Sequence, residues 1–410
     1  MNSHEDLMIR YAKLIIEVGI HLQTGQSLTI SAPLHASQFV HLLTKHAYTA
    51  GASTVYVDWY DDELFNINLN MSPLESLSKY PAWKAIGWDE MAEENWAFLM
   101  LSSPSAPIKI DINRQTTYSR AKSEALKKWR SFTFSNKVSW CVVPFPSSYW
   151  AKRVFPSLTD ADLQMTALWE VIYSITRIDT PDPVKSWEEH RVSMNKKLDF
   201  MNKSQFKALH FVSGNTDLMV ELPENHKWVG GASENQTSGY YFYPNLPTEE
   251  IYTAPKRNGV NGVVRSTRPL VYGGVEIVDF SLVFKDGRVW EYDAGEYTNT
   301  LGEVIHFDDG ASFLGEVALV PHNSPISLQN LLFYNTLLDE NSSCHLALGR
   351  AYPLCLNEGA NLTPKELLDR GLNVSGIHLD FMIGSPDMDI DGISASGRRV
   401  SLFQKGNWAG

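Results

Sequence analysis

The sequence predicts a molecule in two parts: an α/β N-terminal domain with a parallel sheet, followed by a β-rich α+β domain. Three observations predict it. Strands and helices alternate through the first 150 residues, the order that builds a parallel sheet. From residue 207 the pattern changes to short runs bounded by Gly, Pro, Asn and Asp, which reads as antiparallel strands. With 43% hydrophobic and 20% charged residues in a chain of 410, there is enough apolar side chain for a large core. The TPDP stretch at 180–183 interrupts two helical segments, because proline ends helices and extends the residue before it. The expected domains are therefore 1–185 and 186–410.

In order, residues 5–22 carry helical apolar spacing through Leu7, Tyr11, Leu14, Ile15 and Val18. SLTISAP (27–33) reads as a strand, and SQFVHLLTKHAYTAG (37–51) as a helix with Ser37 as N-cap and Gly51 beyond its end. STVYVDWYDD (53–62), WAFLMLSSP (96–104) and VSWCVVPFPS (138–147) read as further strands, with a helix near 119–130. Residues 160–204 are mostly helical in pattern. Then KALHFVSG, DLMVEL, NGVVRST, VEIVDFSLVFKDG and RVWEYDA read as strands, with a hairpin turn at Lys285-Asp-Gly-Arg. Helices are expected at 296–306 and around 326–338.

Composition excludes several functions. A net charge of −12 argues against nucleic acid, whose phosphates need clustered Lys and Arg. The basic run at Lys127, Lys128 and Arg130 reads as a solvated helix face. Three cysteines without a CxxC pair are neither a disulfide framework nor a thiolate zinc site, and suggest a reducing, cytoplasmic setting. The N-terminal stretch starts acidic and amphipathic, unlike a signal peptide, and no run of eighteen apolar residues is present to span a membrane. There is no G-x-G-x-x-G, no phosphate loop, no H-E-x-x-H and no G-x-S-x-G. His41 and His46, five apart, fall on different sides of a helix and read as structural. Cys344 beside His345 is not a dyad, because a catalytic pair meets in space rather than in sequence.

The residues suited to chemistry lie in four stretches of the second half. TEE, ending at Glu250, reads on its own as an acidic surface turn. Glu316 sits in FLGEVALVP, and a carboxylate in such apolar surroundings needs a cation or a proton. Residues 332–352 bring Glu340, His345 and Tyr352, although a histidine beside Leu346 and Leu348 is commonly a core residue. In His378-x-Asp380, an extended strand would aim both side chains to the same face. Together these oxygen and nitrogen donors suit Zn, Co or Mn, with Mg a further candidate. Carboxylates can bridge two divalent ions, which lower the pKa of a shared water and polarise a carbonyl. One ion can also hold a free amino terminus, which suits an exopeptidase. Tyr352 could donate to an oxyanion, and Glu316 or Glu340 could shuttle a proton. Two imidazoles must be neutral to bind metal, so affinity is expected to fall below about pH 6.

The stretches NLPTEEIYTAP (245–255), VNGVVRSTRPLVYGG (260–274), FLGEVALVPHNSPIS (313–327), LFYNTLLDENSSCHLALGRAYP (332–353) and IHLDFMIGSPDMDIDG (377–392) resemble the thermophilic-type bacterial metalloaminopeptidases, the aminopeptidase T and aminopeptidase S group. The resemblance implies a cobalt- or zinc-activated homodimer with two metal ions, acting on short peptides with a free N-terminus. It carries the ligand positions onto Glu250, Glu316, His345, His378 and Asp380, the active-site tyrosine onto Tyr352, and a ligand or acid–base role onto Glu340. A different two-metal hydrolase, or a relative that binds peptides without cleaving them, are the competing expectations. The modest charge content and many asparagines suggest a mesophilic protein.

Overall fold

The computed structural model describes residues 3–106, 111–272 and 275–409. The chain forms two compact units: Met1–His190 with Ala232–Pro247, and Arg191–Gly231 with Thr248–Gly410. The division falls inside the helix Pro183–Ser204, and the segment 232–247 groups with the first unit.

The first unit holds a four-stranded sheet of β1 (Leu28–Pro33), β2 (Val55–Tyr60), β3 (Ala97–Ser102) and β4 (Trp140–Pro144). The order is β2-β1-β3-β4 and every pairing is parallel. Leu28, Ile30, Leu99 and Val143 are buried in it, as expected for strands covered by helices. Details depart from the sequence reading. The α-helix expected over 5–22 runs only His4–Leu14, with a capping box between Ser3 and Asp6, and continues as a wider π turn over Ile15–Gly19. Ser37 lies inside its helix, because a 3₁₀ turn at Leu34–Ala36 already starts the winding. The single helix expected near 119–130 is two, Ile112–Ala125 and Lys127–Phe134. On the second, Lys128 pairs with Glu93 and Lys127 with Glu124.

The chain continues through β5 (Ala208–Ser213), β6 (Thr216–Glu221) and β7 (Val229–Gly230). The short hairpin β8 (Ser233–Glu234) and β9 (Tyr241–Phe242) belongs to the first unit. The second unit resumes with β10 (Ile251–Thr253), β11 (Val260–Arg265), β12 (Leu270–Tyr272), β13 (Val275–Ile277), β14 (Ser281–Lys285) and β15 (Arg288–Asp293). It ends with β16 (Leu314–Leu319), β17 (His345–Gly349), β18 (His378–Met382), β19 (Asp389–Ile393), β20 (Arg399–Gln404) and β21 (Asn407–Trp408). An eight-stranded sheet has the order β15-β14-β11-β6-β5-β19-β20-β21, and a five-stranded sheet the order β18-β17-β16-β10-β7. Leu209, Phe211, Leu282 and Phe403 of the first, with Val317, Leu346, Leu348 and Phe381 of the second, share one core.

The turn at Asp286-Gly287 has positive φ at both residues, 48° and 83°, as a tight hairpin requires. VEIVDFSLVFKDG is not one strand. Asp279, at φ 52° and held by Arg265, breaks it so that β13 and β14 enter different sheets. The helix expected around 326–338 is only a 3₁₀ turn (Ser327–Gln329) and a short helix (Thr336–Glu340). Asn330 and Tyr334 between them have φ of 50° and 53°, which an α-helix cannot accommodate. Among the described residues no helix is long and apolar enough to cross a membrane.

Candidate metal centre

One face of the five-stranded sheet carries the predicted ligands. Successive residues of a strand alternate between faces, and residues directly opposed on antiparallel neighbours share a face. The register opposes Tyr252, Ala318, His345 and Met382 across β10, β16, β17 and β18. The next row opposes Glu316, Ala347 and Asp380, and the row beyond opposes Gly349 and His378. Glu316, His345, His378 and Asp380 therefore emerge on one face. Val317, Leu346 and Phe381 form a row on the other, in the core.

A bulge produces this arrangement. Leu314 opposes Leu348, but Glu316 opposes Ala347, so one extra residue, Gly315, enters β16. Without it Leu314 and Glu316, two apart, would face the same way. With it Leu314 points into the core and Glu316 to the ligand face, the re-aiming for which bulges are used near active sites. A Cβ at residue 315 would overlap the carbonyl oxygens of Gly349 and Arg350, so the bulge requires glycine.

Glu250 precedes β10 and is only 7% exposed, with Thr248 and Glu249 equally enclosed. The acidic surface turn expected for TEE is thus a buried segment. Asn341, fully buried, accepts a hydrogen bond from the Glu249 backbone N–H at 2.8 Å, and its amide donates to the Leu337 carbonyl. That side chain fixes the segment from 92 residues away, and no local pattern reports it.

Glu316 lies between the two histidines. Its Oε1 is 3.3 Å from His345 Nε2 and its Oε2 is 3.7 Å from His378 Nε2. Glu250 Oε2 is 3.4 Å from His345 Nε2, and Asp380 Oδ1 is 3.3 Å from His378 Nε2. Two ligand groups result: Glu250, Glu316 and His345, and Glu316, His378 and Asp380, the donor atoms of each lying within 4.8 Å of one another. His345 Nδ1 donates to the Ser343 carbonyl at 3.0 Å and His378 Nδ1 to the Arg350 carbonyl at 2.7 Å. Each imidazole is thereby turned so that Nε2 faces the cluster, the outer support typical of metal-binding histidines. His345 is 1% exposed, yet its Nε2 faces two carboxylates rather than the apolar core. Ser343 and Arg350 act through their backbone carbonyls, so their side-chain identities could not have revealed them.

In the electrostatics of the cluster, imidazoles and carboxylates compensate one another. Burial would lower the pKa of His345, but the hydrogen bond to Glu316 and the charges of Glu250 and Asp380 outweigh it and push it up to about 10. For His378 burial is likewise overcome, chiefly by Asp380 and then Glu316, giving about 9. Burial raises Glu250 to about 7 against the pull of His345. Asp380 is buried, yet the adjacent His378 imidazole, and then His345, hold it below the usual range. Protons on the two imidazoles supply positive charge that the carboxylates demand. Glu250 Oε2 and Asp380 Oδ1 are buried acceptors that receive no hydrogen bond. Carboxylate and imidazole donors so arranged suit a divalent ion.

Glu340 ends its short helix and belongs to neither ligand group. Burial raises its pKa well above normal, followed by the charges of Glu250 and Asp380. The neighbouring Asp339 is committed elsewhere, accepting the backbone N–H groups of Phe333 and Asn335. Tyr352 packs its ring 4.7 Å from that of His378 and 6.1 Å from that of Tyr252. Burial, then Glu316 and Asp380, raise its pKa, so its hydroxyl keeps its proton. Cys344 gives its thiol to the Val320 carbonyl, and burial pushes it up to about 12; it is no nucleophile. Tyr252 was not singled out by the sequence reading, although its alternation with Glu250 signals the shared face.

The chain is similar to known proteins over its whole length. The family described as thermophilic metalloprotease (M29) matches residues 4–408. Aminopeptidase 2 of Geobacillus stearothermophilus is 44% identical over 411 residues, covering 100% of this chain and 99% of that protein. Aminopeptidase AmpS of Bacillus subtilis is 43% identical with both chains fully covered. The solved structure of wild-type AmpT from Thermus thermophilus superposes with a TM-score of 0.92 at 37% identity, covering 100% of both chains.

Proposed function

The chain belongs to the thermophilic metalloprotease (M29) family and is a metallo-exopeptidase of the aminopeptidase type, and from that premise we propose that it removes N-terminal residues from short peptides with two divalent ions held by the ligand face of the five-stranded sheet. One observation carries the reading: the two oxygens of Glu316 face two different imidazoles, so a single carboxylate belongs to both ligand groups. Glu250 and His345 complete one site, His378 and Asp380 the other. Bound divalent ions would supply Lewis acidity, lowering the pKa of a water and polarising the scissile carbonyl.

The chain's own groups then divide the remaining work. Glu340, outside both ligand groups, is in its ionised form a stronger base than an ordinary carboxylate; in that form it takes a proton from the attacking water and then gives it to the leaving amine. Tyr352, protonated and beside His378, donates a hydrogen bond to the oxyanion. The carbonyls of Ser343 and Arg350 hold the two imidazoles in register. The hydrophobic face beneath fixes the strands, so the donors are set before substrate arrives. In the same proposal the second unit is the catalytic domain. Zinc, cobalt or manganese, with magnesium as a further candidate, follow from the donor set. A homodimer rests on the likeness to the aminopeptidase T and S group, and a cytoplasmic location on the three unpaired cysteines.

The test is a choice of substrates. Leucine p-nitroanilide should be hydrolysed, its N-acetyl derivative should not, and p-nitrophenyl phosphate should be inert. Cleavage of the phosphate ester with no anilide turnover would replace this reading with that of a phosphoesterase on the same ligands. Cleavage of the acetylated anilide would remove the need for a free amino terminus.

A further inference from the structure

We propose that Ala347 is the positioning residue that allows the second ligand group to close, and that a larger side chain there costs the protein one ion and spares the other. The inference rests on the two-ion reading above. Strands β16 and β18 both pair with β17, so their backbones lie two strand spacings apart, about 9–10 Å. Yet the donor atoms of Glu316 on β16 and of His378 and Asp380 on β18 lie within 4.8 Å of one another. The side chains must lean towards each other across β17.

The residue between them is Ala347, opposed to Glu316 on one side and Asp380 on the other. Opposed residues share a face, so the carboxylates meet above its methyl group. Ala347 is fully buried beneath them. Its neighbours along β17, Leu346 and Leu348, are large and face the core; the one small side chain falls where the ligands converge. Valine at 347 would direct a γ-methyl into the gap between Glu316 and Asp380, and leucine would fill it. The first ligand group does not span this position. Its members Glu250, Glu316 and His345 come from the β10, β16 and β17 side, and the Oε1 of Glu316 faces His345, away from the Oε2 that serves His378.

The experiment measures metal per chain by equilibrium dialysis against zinc, with elemental analysis, for the wild type and for Ala347→Gly, Ala347→Val and Ala347→Leu. Far-UV circular dichroism and melting of the metal-free form report folding independently of metal. Wild type and Ala347→Gly should hold two ions. The Val and Leu variants should hold one at wild-type affinity, with the second weakened about 10- to 100-fold, the range for disturbing the surroundings of a metal ligand. Folded Val and Leu variants that hold two ions as tightly as wild type would overturn the inference. So would loss of both ions together, which marks a general packing effect. Should neither variant fold, α-aminobutyrate at 347, one methyl larger, carries the same test with the same outcomes. A wild type that binds fewer than two ions instead overturns the two-ion reading itself, and is seen before any substitution is made.

Discussion

Val317, Leu346 and Phe381 on one face of the five-stranded sheet, and Glu316, His345 and Asp380 on the other, are one residue apart on the same strands and both largely hidden from water. The first set is held by apolar contact, which needs no partner of defined chemistry. The second is held by charge, and leaves Glu250 Oε2 and Asp380 Oδ1 without hydrogen bonds. The difference teaches that one sheet can carry apolar packing on one surface and a charged cluster, the proposed cation site, on the other. The two contributions should be separable by substitution.

The sharpest separation comes from the charged face. Glu316→Gln removes the shared carboxylate, and hydrolysis of leucine p-nitroanilide should fall by more than about 100-fold, beyond the cost of losing an outer support. The metal-free variant should still fold, by far-UV circular dichroism, with a lowered melting temperature because two imidazolium groups lose the carboxylate they share. Wild-type turnover in this variant would break the comparison at its centre. On the opposite face, Phe381→Ala should destabilise the fold by about 3–5 kcal/mol in denaturant titrations, while the protein that remains folded keeps its full metal content.

Gly315→Ala acts on both faces, because the overlap with the carbonyls of Gly349 and Arg350 disturbs the bulge and also the acceptor of His378. A loss of about 10- to 100-fold in metal affinity is expected, measured by competition with a chelating dye. Unchanged affinity would show that the bulge does not aim Glu316.

The smallest effect lies away from the sheet's ligands and tests whether acid sensitivity is special to them. His226 is buried, its Nδ1 donates to the Pro223 carbonyl, and its Nε2 has no partner. Burial lowers its pKa below 6.5, against the pull of that carbonyl. The unfolded chain therefore binds the proton first, and the contribution of neutral His226 is present above pH 6.5 and lost as pH falls below it. The slope is at most about 1.4 kcal/mol per pH unit. His226→Gln should flatten that part of the stability profile of metal-free protein; an unchanged profile would assign the sensitivity elsewhere.

What could be read from the sequence follows the same division. His378-x-Asp380 was legible because both residues sit on one strand, where a period of two fixes their shared face. Glu316 was legible because its apolar neighbours left a charge unexplained. The parallel sheet of the first unit followed from alternating strands and helices. The burial of Glu250 was not legible, since the side chain that fixes the preceding backbone is Asn341, distant in the chain. Nor were the bulge at Gly315 and the break at Asp279, because both depend on what packs against the backbone rather than on the composition around it. The role of Ala347 required the register of three strands, which no single stretch contains.

At the core of the proposed function, one carboxylate serves two metal sites. This is tested most directly by soaking crystals of the metal-stripped protein in zinc and collecting anomalous diffraction at the zinc edge. Two peaks are expected on the ligand face, one among Glu250, Glu316 and His345, the other among Glu316, His378 and Asp380, with Glu316 touching both. A single peak, or two peaks that do not share Glu316, would contradict it.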